Sequence, residues 1–594
     1  MDKQAHKFFQ QGLAQFSKKL WVLAAQNFEK ARAYDPKSPE ILEALASTIC
    51  LTGDIKTAQK YFLEAIDLSK PEPSLSLLSN YAHLLQRAGA LEVAIKQYKD
   101  ILVRAPNYAL AWSNLGECYR NQMKIMQAAN CYEKVWALEP NNYEALNSLS
   151  YCYHTLCLWD KADAVDTQLF QVTSKEIKAG RAAVIGSFPA LFLKTNPASL
   201  KMIAESHSRT LVEQQRQQKI FLPARKKDKK RKRIRVGYFS VAFSRHATSL
   251  LVQDMFKHHD REKFEVFLYA VNAKGECPHY SKIKQSAEHV FELQSMADLE
   301  CAHFIQSHEL DILIDMDGVI KDNRQGVLCL KPAPIQIAWL GYPGTSGAPW
   351  IDYILADDVV IPKDHEVFYS EKILRMPNSY QFNSFASCPI ESSKREDWGI
   401  PEGVFVFASF NVSRKFDRAT FEAWCSILKR VDGSLLWVLV DDDVCLKVLS
   451  DTMVAAGLDS SRLIRAKRID NMAHLSRIGC ADLFLDSFIC NAHTTCTEAL
   501  AAGLPVLTCT GNTFAGRVAS SLLMAANMEE CVTTTPQEYI ERAVSLATEP
   551  KRLKFLKEHL QNNKNILPLF DQKKWLEDLE NILVEVVSKD NAKP

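Results

Sequence analysis

Residues 482–508 read DLFLDSFICNAHTTCTEALAAGLPVLT, and the fold turns on this stretch. The apolar run Asp482 to Asp486 has the length of a buried strand. It breaks at a polar pocket of Cys490, Asn491, His493, Thr494 and Thr495, after which a helix-like pattern runs to Gly503. A second apolar run, Pro505 to Cys509, follows at once. Strand, turn, helix and strand in so short a span predict a crossover unit of a parallel sheet.

The same alternation extends backward from this unit. Short apolar runs at Ile234–Ser240, Phe264–Val271, Asp311–Asp315 and Ile335–Leu340, separated by amphipathic stretches, predict one parallel sheet covered on both faces. A second set begins at VFVFASFN, with Val404–Phe410, Leu435–Val440, Leu463–Ala466, Asp482–Asp486 and Pro505–Cys509. Two consecutive doubly wound units imply a cleft, and ligands of such sheets bind beyond the carboxyl ends of the strands.

The N-terminal third has another period. Ala24, Ala58, Ala94 and Ala128 each have a ring four positions on, at Phe28, Phe62, Tyr98 and Tyr132. Pro36, Pro71, Pro106 and Pro140 close the four units. On a helix, positions i and i+4 share one face, so the alanine admits a neighbouring helix and the ring fills the space beside it. This pattern resembles the tetratricopeptide repeat. A degraded fifth copy starts at Ala162, with Asp166 in place of the ring, as suits a terminal, capping repeat. The fold class is therefore α, a tetratricopeptide superhelix, plus α/β, two Rossmann-like domains. The expected divisions are a repeat array over 1–175, a helical and basic linker over 176–232, an N-terminal Rossmann-like domain over 233–385, and a C-terminal one with terminal helices over 386–594.

Composition excludes several classes. A formal charge of +2 on 594 residues gives no general attraction to nucleic acid or membrane. Sixteen scattered cysteines, no two at C-x-x-C spacing, fit a reducing compartment rather than a disulfide framework. The N-terminus lacks an apolar signal core, and no window holds eighteen consecutive apolar residues, so a cytoplasmic protein is expected, with nuclear entry or signal-independent export left open. The run RKKDKKRKRIR, Arg225 to Arg235, is either a solvated linker or a nuclear-import or polyanion-binding segment.

Chemistry is expected at the strand ends. The first turn of a helix carries unpaired N–H groups and partial positive charge, so Thr494 and Thr495 in that turn suit a phosphate, with His493 as a further donor. Thr is also an ordinary cap. Glu498 lies one turn on, where a carboxylate can accept from ribose hydroxyls. NVSRKFD supplies Asn411 and Lys415, whose ammonium can neutralise charge on a departing diphosphate. KRIDNMAHLSR places His474 and Arg477 on one helix face. In the first unit FSVAFSRHATS offers His246, while Leu340 and Gly341 open WLGYPGTSGAP, whose glycines would allow close backbone approach to a ligand.

With these residues in hand, the chain resembles the O-GlcNAc transferases and their relatives, including the SPINDLY O-fucosyltransferases. The likeness is densest in KPAPIQIAWLGYPGTSGAPWIDYILAD and LDSFICNAHTTCTEALAAGLPVLT. The resemblance implies a GT-B arrangement and inverting, metal-independent transfer of a sugar from a nucleotide diphosphate to Ser or Thr hydroxyls. It implies His246 as general base, Lys415 on the diphosphate, His474 and Arg477 near the uridine, and Asn491, His493, Thr494 and Thr495 as the diphosphate cradle. Glu498 stands where animal enzymes of the family have a ribose-binding aspartate.

It also implies protein or peptide acceptors on the concave face of the array; Asn80 and Asn114 would form part of an asparagine ladder that Ala46 and Ser148 interrupt. Homo-oligomers are possible partners too. Val412, Arg414, Asn471 and Ala242 depart from the animal O-GlcNAc enzymes and leave the donor open. The CNAHTT tract resembles the UDP-GlcNAc users more than the fucosyl branch, and that resemblance favours UDP-GlcNAc over GDP-fucose. No metal or other cofactor is expected, although Asp315–Asp317 and Asp441–Asp443 resemble metal-binding carboxylates. The rival reading is a catalytically inactive sugar-nucleotide sensor on a repeat scaffold.

Overall fold

A computed structural model of the chain describes residues 2–18, 20–218, 221–223, 231–244, 246–271, 277–387, 390–391 and 393–591. It falls into two compact units, Met1–Cys152 and Tyr153–Pro594.

The first unit is a series of antiparallel helices, from Lys3–Ser17 and Trp21–Tyr34 to Ala109–Asn121 and Ile125–Leu138, with Tyr143–Thr155 continuing into the second unit. The alanine and ring positions of the repeat are buried throughout. What faces two of these rings is glycine for a steric reason. A Cβ on Gly12 would stand 2.5 Å from the Phe28 ring, and one on Gly116 2.9 Å from Tyr132. Asn80 gives its amide to Glu43 Oε1 at 2.7 Å, and Ala46 is buried, so the ladder is interrupted here as the sequence indicates.

The second unit opens with the end of that helix and with Trp159–Lys178. Asp166, where a ring would stand, is buried and meets His154 Nε2 at 2.7 Å, so a polar side-chain contact replaces aromatic packing in the last repeat. The stretch that the sequence assigns to a linker contains the helix Pro197–Gln218, which packs onto the first sheet domain. Ser208 Oγ donates to Ser346 O at 3.0 Å and Gln215 Nε2 to Gly326 O at 2.9 Å. Gly347, at φ +62°, lies so close that a Cβ would sit 2.3 Å from Glu205 N.

Seven parallel strands follow: β1 Ile234–Ser240, β2 Phe264–Ala270, β3 His289–Glu292, β4 Ile312–Asp315, β5 Ile335–Ala338, β6 Tyr353–Ala356 and β7 Lys372–Arg375. Their order is 3-2-1-4-5-6-7. The second sheet holds β8 Val406–Ser409, β9 Leu435–Leu439, β10 Leu463–Ala466, β11 Leu483–Leu485, β12 Val506–Cys509 and β13 Val532–Thr533, in the order 10-9-8-11-12-13, again all parallel. Both orders reverse beside their first strand, which is the Rossmann arrangement. β3, β6, β7 and β13 carry no clear sequence signal. They are two to four residues long and lie at or toward the sheet edges, where apolar runs are short.

The two sheet domains meet through Ser521 Oγ on Asp357 Oδ2 at 2.7 Å and Gln381 Nε2 on Thr497 Oγ1 at 2.6 Å. The last helix, Gln572–Asn591, returns to the first sheet domain: Trp575 packs 5.4 Å from Trp339, and Glu580 accepts from buried His259 at 2.8 Å. Among the described residues no helix is long and apolar enough to cross a membrane. Of the basic run, Arg231, Arg233 and Arg235 are engaged by Glu309 O, Glu288 and Glu265 around the start of β1. The import or polyanion reading rests mainly on 225–230, outside the described residues.

Candidate functional site

The second sheet's order reverses between β8 and β11, and the polar turns after these two strands are tied together. Asp486 is fully buried one residue past β11. Its carboxylate accepts from Ser487 N, Ala492 N and Thr508 Oγ1 at 2.7–2.8 Å, and from Asn411 Nδ2 at 3.1 Å. Burial pushes its pKa up against these hydrogen bonds. Asn411 in turn accepts the Thr495 hydroxyl at 2.8 Å. One buried carboxylate thus sets the start of the helix Thr494–Ala501 against the end of β8. The first-turn amides of that helix have no acceptor within it.

In front of this frame lies a cavity of about 370 Å³. Eight of the residues singled out in the sequence line it: Asn411, Lys415, His474, Arg477, His493, Thr494, Thr495 and Glu498. Leu439, Phe410, Arg468 and Ile469 join them, as do Val412 and Asn471, two of the departures from the animal enzymes. Lys415 Nζ donates to the main-chain oxygen of Asn491, which joins Asn491 to the cavity wall without lining it. Cys490 is buried behind.

One end of the cavity is suited to a nucleoside. Arg477 stands 5.2 Å from the Phe410 ring and 5.9 Å from Trp398 and Trp437, and burial lowers its pKa to about 10, so it stays cationic. It donates through Nε to His474 Nδ1 at 2.9 Å. His474 is pushed down to about 3 by burial and by the Arg477 charge, so it is neutral. With Nδ1 accepting, its proton lies on Nε2, 3.9 Å from Glu498 Oε2. Glu498 accepts from Asn471 at 3.1 Å, yet burial raises its pKa to about 7.

The other end has the helix N-terminus, two threonines and the Lys415 ammonium. His493 is held neutral, at about 3, by burial and Lys415. Its Nε2 lies 3.0 Å from Ala515 O, a carbonyl that can only accept. That nitrogen therefore holds the proton, and Nδ1 presents a lone pair. The expected extra donor is already engaged.

His246, Leu340 and Gly341 belong to the first sheet domain and do not line this cavity. His246 caps the helix Ala247–Val252, its Nδ1 accepting from Thr248 N at 3.2 Å. The residue is exposed overall, yet partial desolvation lowers its pKa. Gly341 is packed against protein: a Cβ there would stand 2.3 Å from Met316 O and 3.1 Å from Asp317 Cα. Leu340 precedes it in the left-handed region, at φ +77°.

The acidic runs are internally committed and do not fit a cation. Asp315 accepts from Asp317 N, Gly318 N and Gln325, and Asp317 from Ser240 Oγ and Val241 N. Asp317 is pushed up to about 8 by burial and by Asp315. Asp441 pairs with Arg468, Asp443 with Arg465, and Asp442 caps a helix. Glu265, Glu288 and His289 cluster, but against Arg233, Arg235 and Arg261.

A doubly wound pair of sheets with a phosphate-suited helix end at one switch point defines a nucleotide-binding class of fold. The chain belongs to the glycosyl transferase family 41, whose model matches residues 156–389 and 386–579. It is 36% identical over 356 residues to the probable UDP-N-acetylglucosamine–peptide N-acetylglucosaminyltransferase SEC of Arabidopsis thaliana, 59% of this chain and 36% of that protein. To the Caenorhabditis elegans UDP-N-acetylglucosamine–peptide N-acetylglucosaminyltransferase it is 27% identical over 464 residues, 59% of this chain and 40% of that one. The chain thus matches well under half the length of these curated relatives. A variant of the Thermobaculum terrenum O-GlcNAc transferase shares the fold, with a TM-score of 0.69 at 21% identity over 92% of this chain and 97% of that one.

Proposed function

We propose that the protein is an inverting protein O-glycosyltransferase that moves GlcNAc from UDP-GlcNAc to Ser or Thr hydroxyls of target proteins gathered by the repeat array. The observation that carries the reading is the convergence of Lys415, Thr494, Thr495, His474, Arg477 and Glu498 on one cavity at a Rossmann switch point. Diphosphate would lie on the Thr494 helix end and Lys415, ribose on Glu498, and the base beside His474 and Arg477. The acceptor oxygen bonds to the anomeric carbon on the face opposite the diphosphate. The bond from that carbon to UDP breaks, and UDP leaves with the electron pair, its charge met by Lys415. The hydroxyl proton passes to His246, a step typically worth about 10² to 10⁴ in rate.

No metal is assigned a role, because the two acidic runs are held by protein donors. Among the described residues the cysteines form no disulfide and are mostly buried, which supports a reducing, cytoplasmic setting. Calorimetry with UDP-GlcNAc and GDP-fucose, then mass spectrometry of candidate proteins incubated with the better binder, tests the reading. Tighter binding of UDP-GlcNAc and addition of HexNAc to Ser or Thr are expected. Binding of neither donor overturns the proposal, and binding without modification puts the sensor reading in its place.

A further inference from the structure

Lys415 ends a three-residue turn, Ser413–Lys415, closed by Lys415 N on Val412 O at 2.9 Å and followed by Phe416 N on Ser413 O at 2.8 Å. So short a 3₁₀ turn has little capacity to hold itself. Segments distant in sequence hold it instead. In the helical hairpin that ends the repeats, the Trp159 indole N–H donates to Phe416 O at 2.7 Å, and Thr155 O accepts the Ser413 hydroxyl at 2.7 Å. The Cys157 thiol lies 3.7 Å from Ser413 O. The Trp159 ring packs 5.8 Å from Phe421, and the Phe416 ring meets Trp424 edge-on at 5.0 Å. From another side, the Arg414 guanidinium stands 3.8 Å from the centre of the Phe192 ring. Arg414, like Ala242, is a departure from the animal enzymes that does not line the cavity, and its stacking shows where its side chain goes instead.

Trp159 is only 7% exposed, so its N–H has no water to replace the Phe416 carbonyl. A buried donor and a buried carbonyl each lose heavily if parted, which makes this bond a strong positional constraint. The carbonyl belongs to the residue that follows Lys415. Displacing a catalytic cation by about 1 Å can cost on the order of 100-fold in rate, so the constraint has a functional consequence.

We propose that Trp159 is a positioning residue: through the Phe416 carbonyl, the last repeat hairpin fixes the turn that aims Lys415 at the donor diphosphate. The inference rests on the donor reading of the cavity. It assigns the last repeat a part in donor binding as well as in acceptor recruitment.

The test uses the full chain and Trp159→Phe, which keeps a ring and removes the N–H. Calorimetry with UDP and with uridine is done in the native and Lys415→Met backgrounds. Trp159→Phe is expected to weaken UDP about tenfold, the size of one well-placed buried hydrogen bond, and to leave uridine unchanged. In the Lys415→Met background it should weaken UDP no further. On a verified acceptor, kcat should fall while the acceptor KM holds. Equal loss of UDP and uridine, equal loss of UDP in both backgrounds, or unchanged UDP binding each overturns the positioning role. Absence of UDP binding by the native chain would instead sink the donor reading. Should Trp159→Phe fail to fold, Ser413→Ala removes a smaller contact to the same turn; it should show the same pattern at about threefold, and unchanged UDP binding would count against the proposal.

Discussion

Glu498 is the residue whose removal should strengthen the fold while harming the site. Its carboxyl is buried, and its pKa rises from the ordinary 4.5 to about 7 in the folded chain. A raised carboxyl pKa means that the folded state binds the proton more tightly than the unfolded state does, so stability falls as pH climbs from about 4.5 and levels off above 7. Linkage between these two values gives a cost near zero at pH 4, about 2 kcal/mol at pH 6 and about 3 kcal/mol at pH 8. Glu498→Gln keeps the shape without the charge. It should therefore match the native chain in urea unfolding at pH 4 and exceed it by about 3 kcal/mol at pH 8. Ligand binding should move the other way. If ribose hydroxyls donate to the ionised carboxylate, uridine, which has no phosphate to titrate, should bind about tenfold more tightly at pH 8 than at pH 6. Glu498→Gln should flatten that profile. A stability difference constant from pH 4 to pH 8, or a native chain whose uridine affinity ignores pH, would refute the reasoning.

Lys415→Met should weaken UDP by roughly 10- to 100-fold and leave uridine unaffected, because one ammonium at the diphosphate is lost; calorimetry with both ligands checks this. Asp486→Ala leaves Ser487 N, Ala492 N, Asn411 and Thr508 without their acceptor and should cost about 3 kcal/mol or more in urea unfolding, with UDP binding lost alongside as Thr495 loosens. Gly341→Ala places a Cβ against Met316 O and should destabilise by about 1–3 kcal/mol, read as a lower melting temperature with UDP affinity unchanged.

The parts of this molecule legible in the sequence are those in which periodicity and burial coincide. Ala24 with Phe28 and its three later copies announce the repeats because each pair packs a small residue against a ring on one helix face. The inner strands announce themselves as apolar runs because both faces are covered. The strand ends gave eight lining residues for a related reason: a Rossmann sheet must place its loops there. What stayed hidden depends on contacts distant in sequence. Asp486 is only the end of an apolar run in the sequence, and the fold alone shows Asn411, Ala492 and Thr508 converging on it. Gly341 reads as a glycine for close ligand approach, and only the fold shows that Met316 O beneath it also demands glycine. The helix Pro197–Gln218 reads as linker because its partners, Ser346 and Gly326, lie more than a hundred residues on.

The three histidines carry the argument one step beyond residue identity. A neutral imidazole offers one donor and one acceptor, and the first partner it takes decides what remains for a ligand. His474 accepts from Arg477, so it turns an N–H toward Glu498 and the cavity. His493 gives its Nε2 hydrogen to Ala515 O and keeps only a lone pair, which a phosphate oxygen would repel. A diphosphate bound here would then be held by the Thr494 and Thr495 amides, the Thr494 hydroxyl and Lys415, since the Thr495 hydroxyl already gives its hydrogen to Asn411, with His493 shaping the turn. His246 accepts the Thr248 amide at Nδ1, so in this arrangement its outer nitrogen bears hydrogen and cannot take a proton. Its use as a base requires the ring to release Thr248 N and carry its hydrogen on Nδ1 instead. That release removes a helix cap at the end of β1, a cost of about 1 kcal/mol, small enough for acceptor binding to supply. Proton removal would then be coupled to the arrival of the acceptor, and a donor bound alone would meet a histidine with no free lone pair at its outer nitrogen.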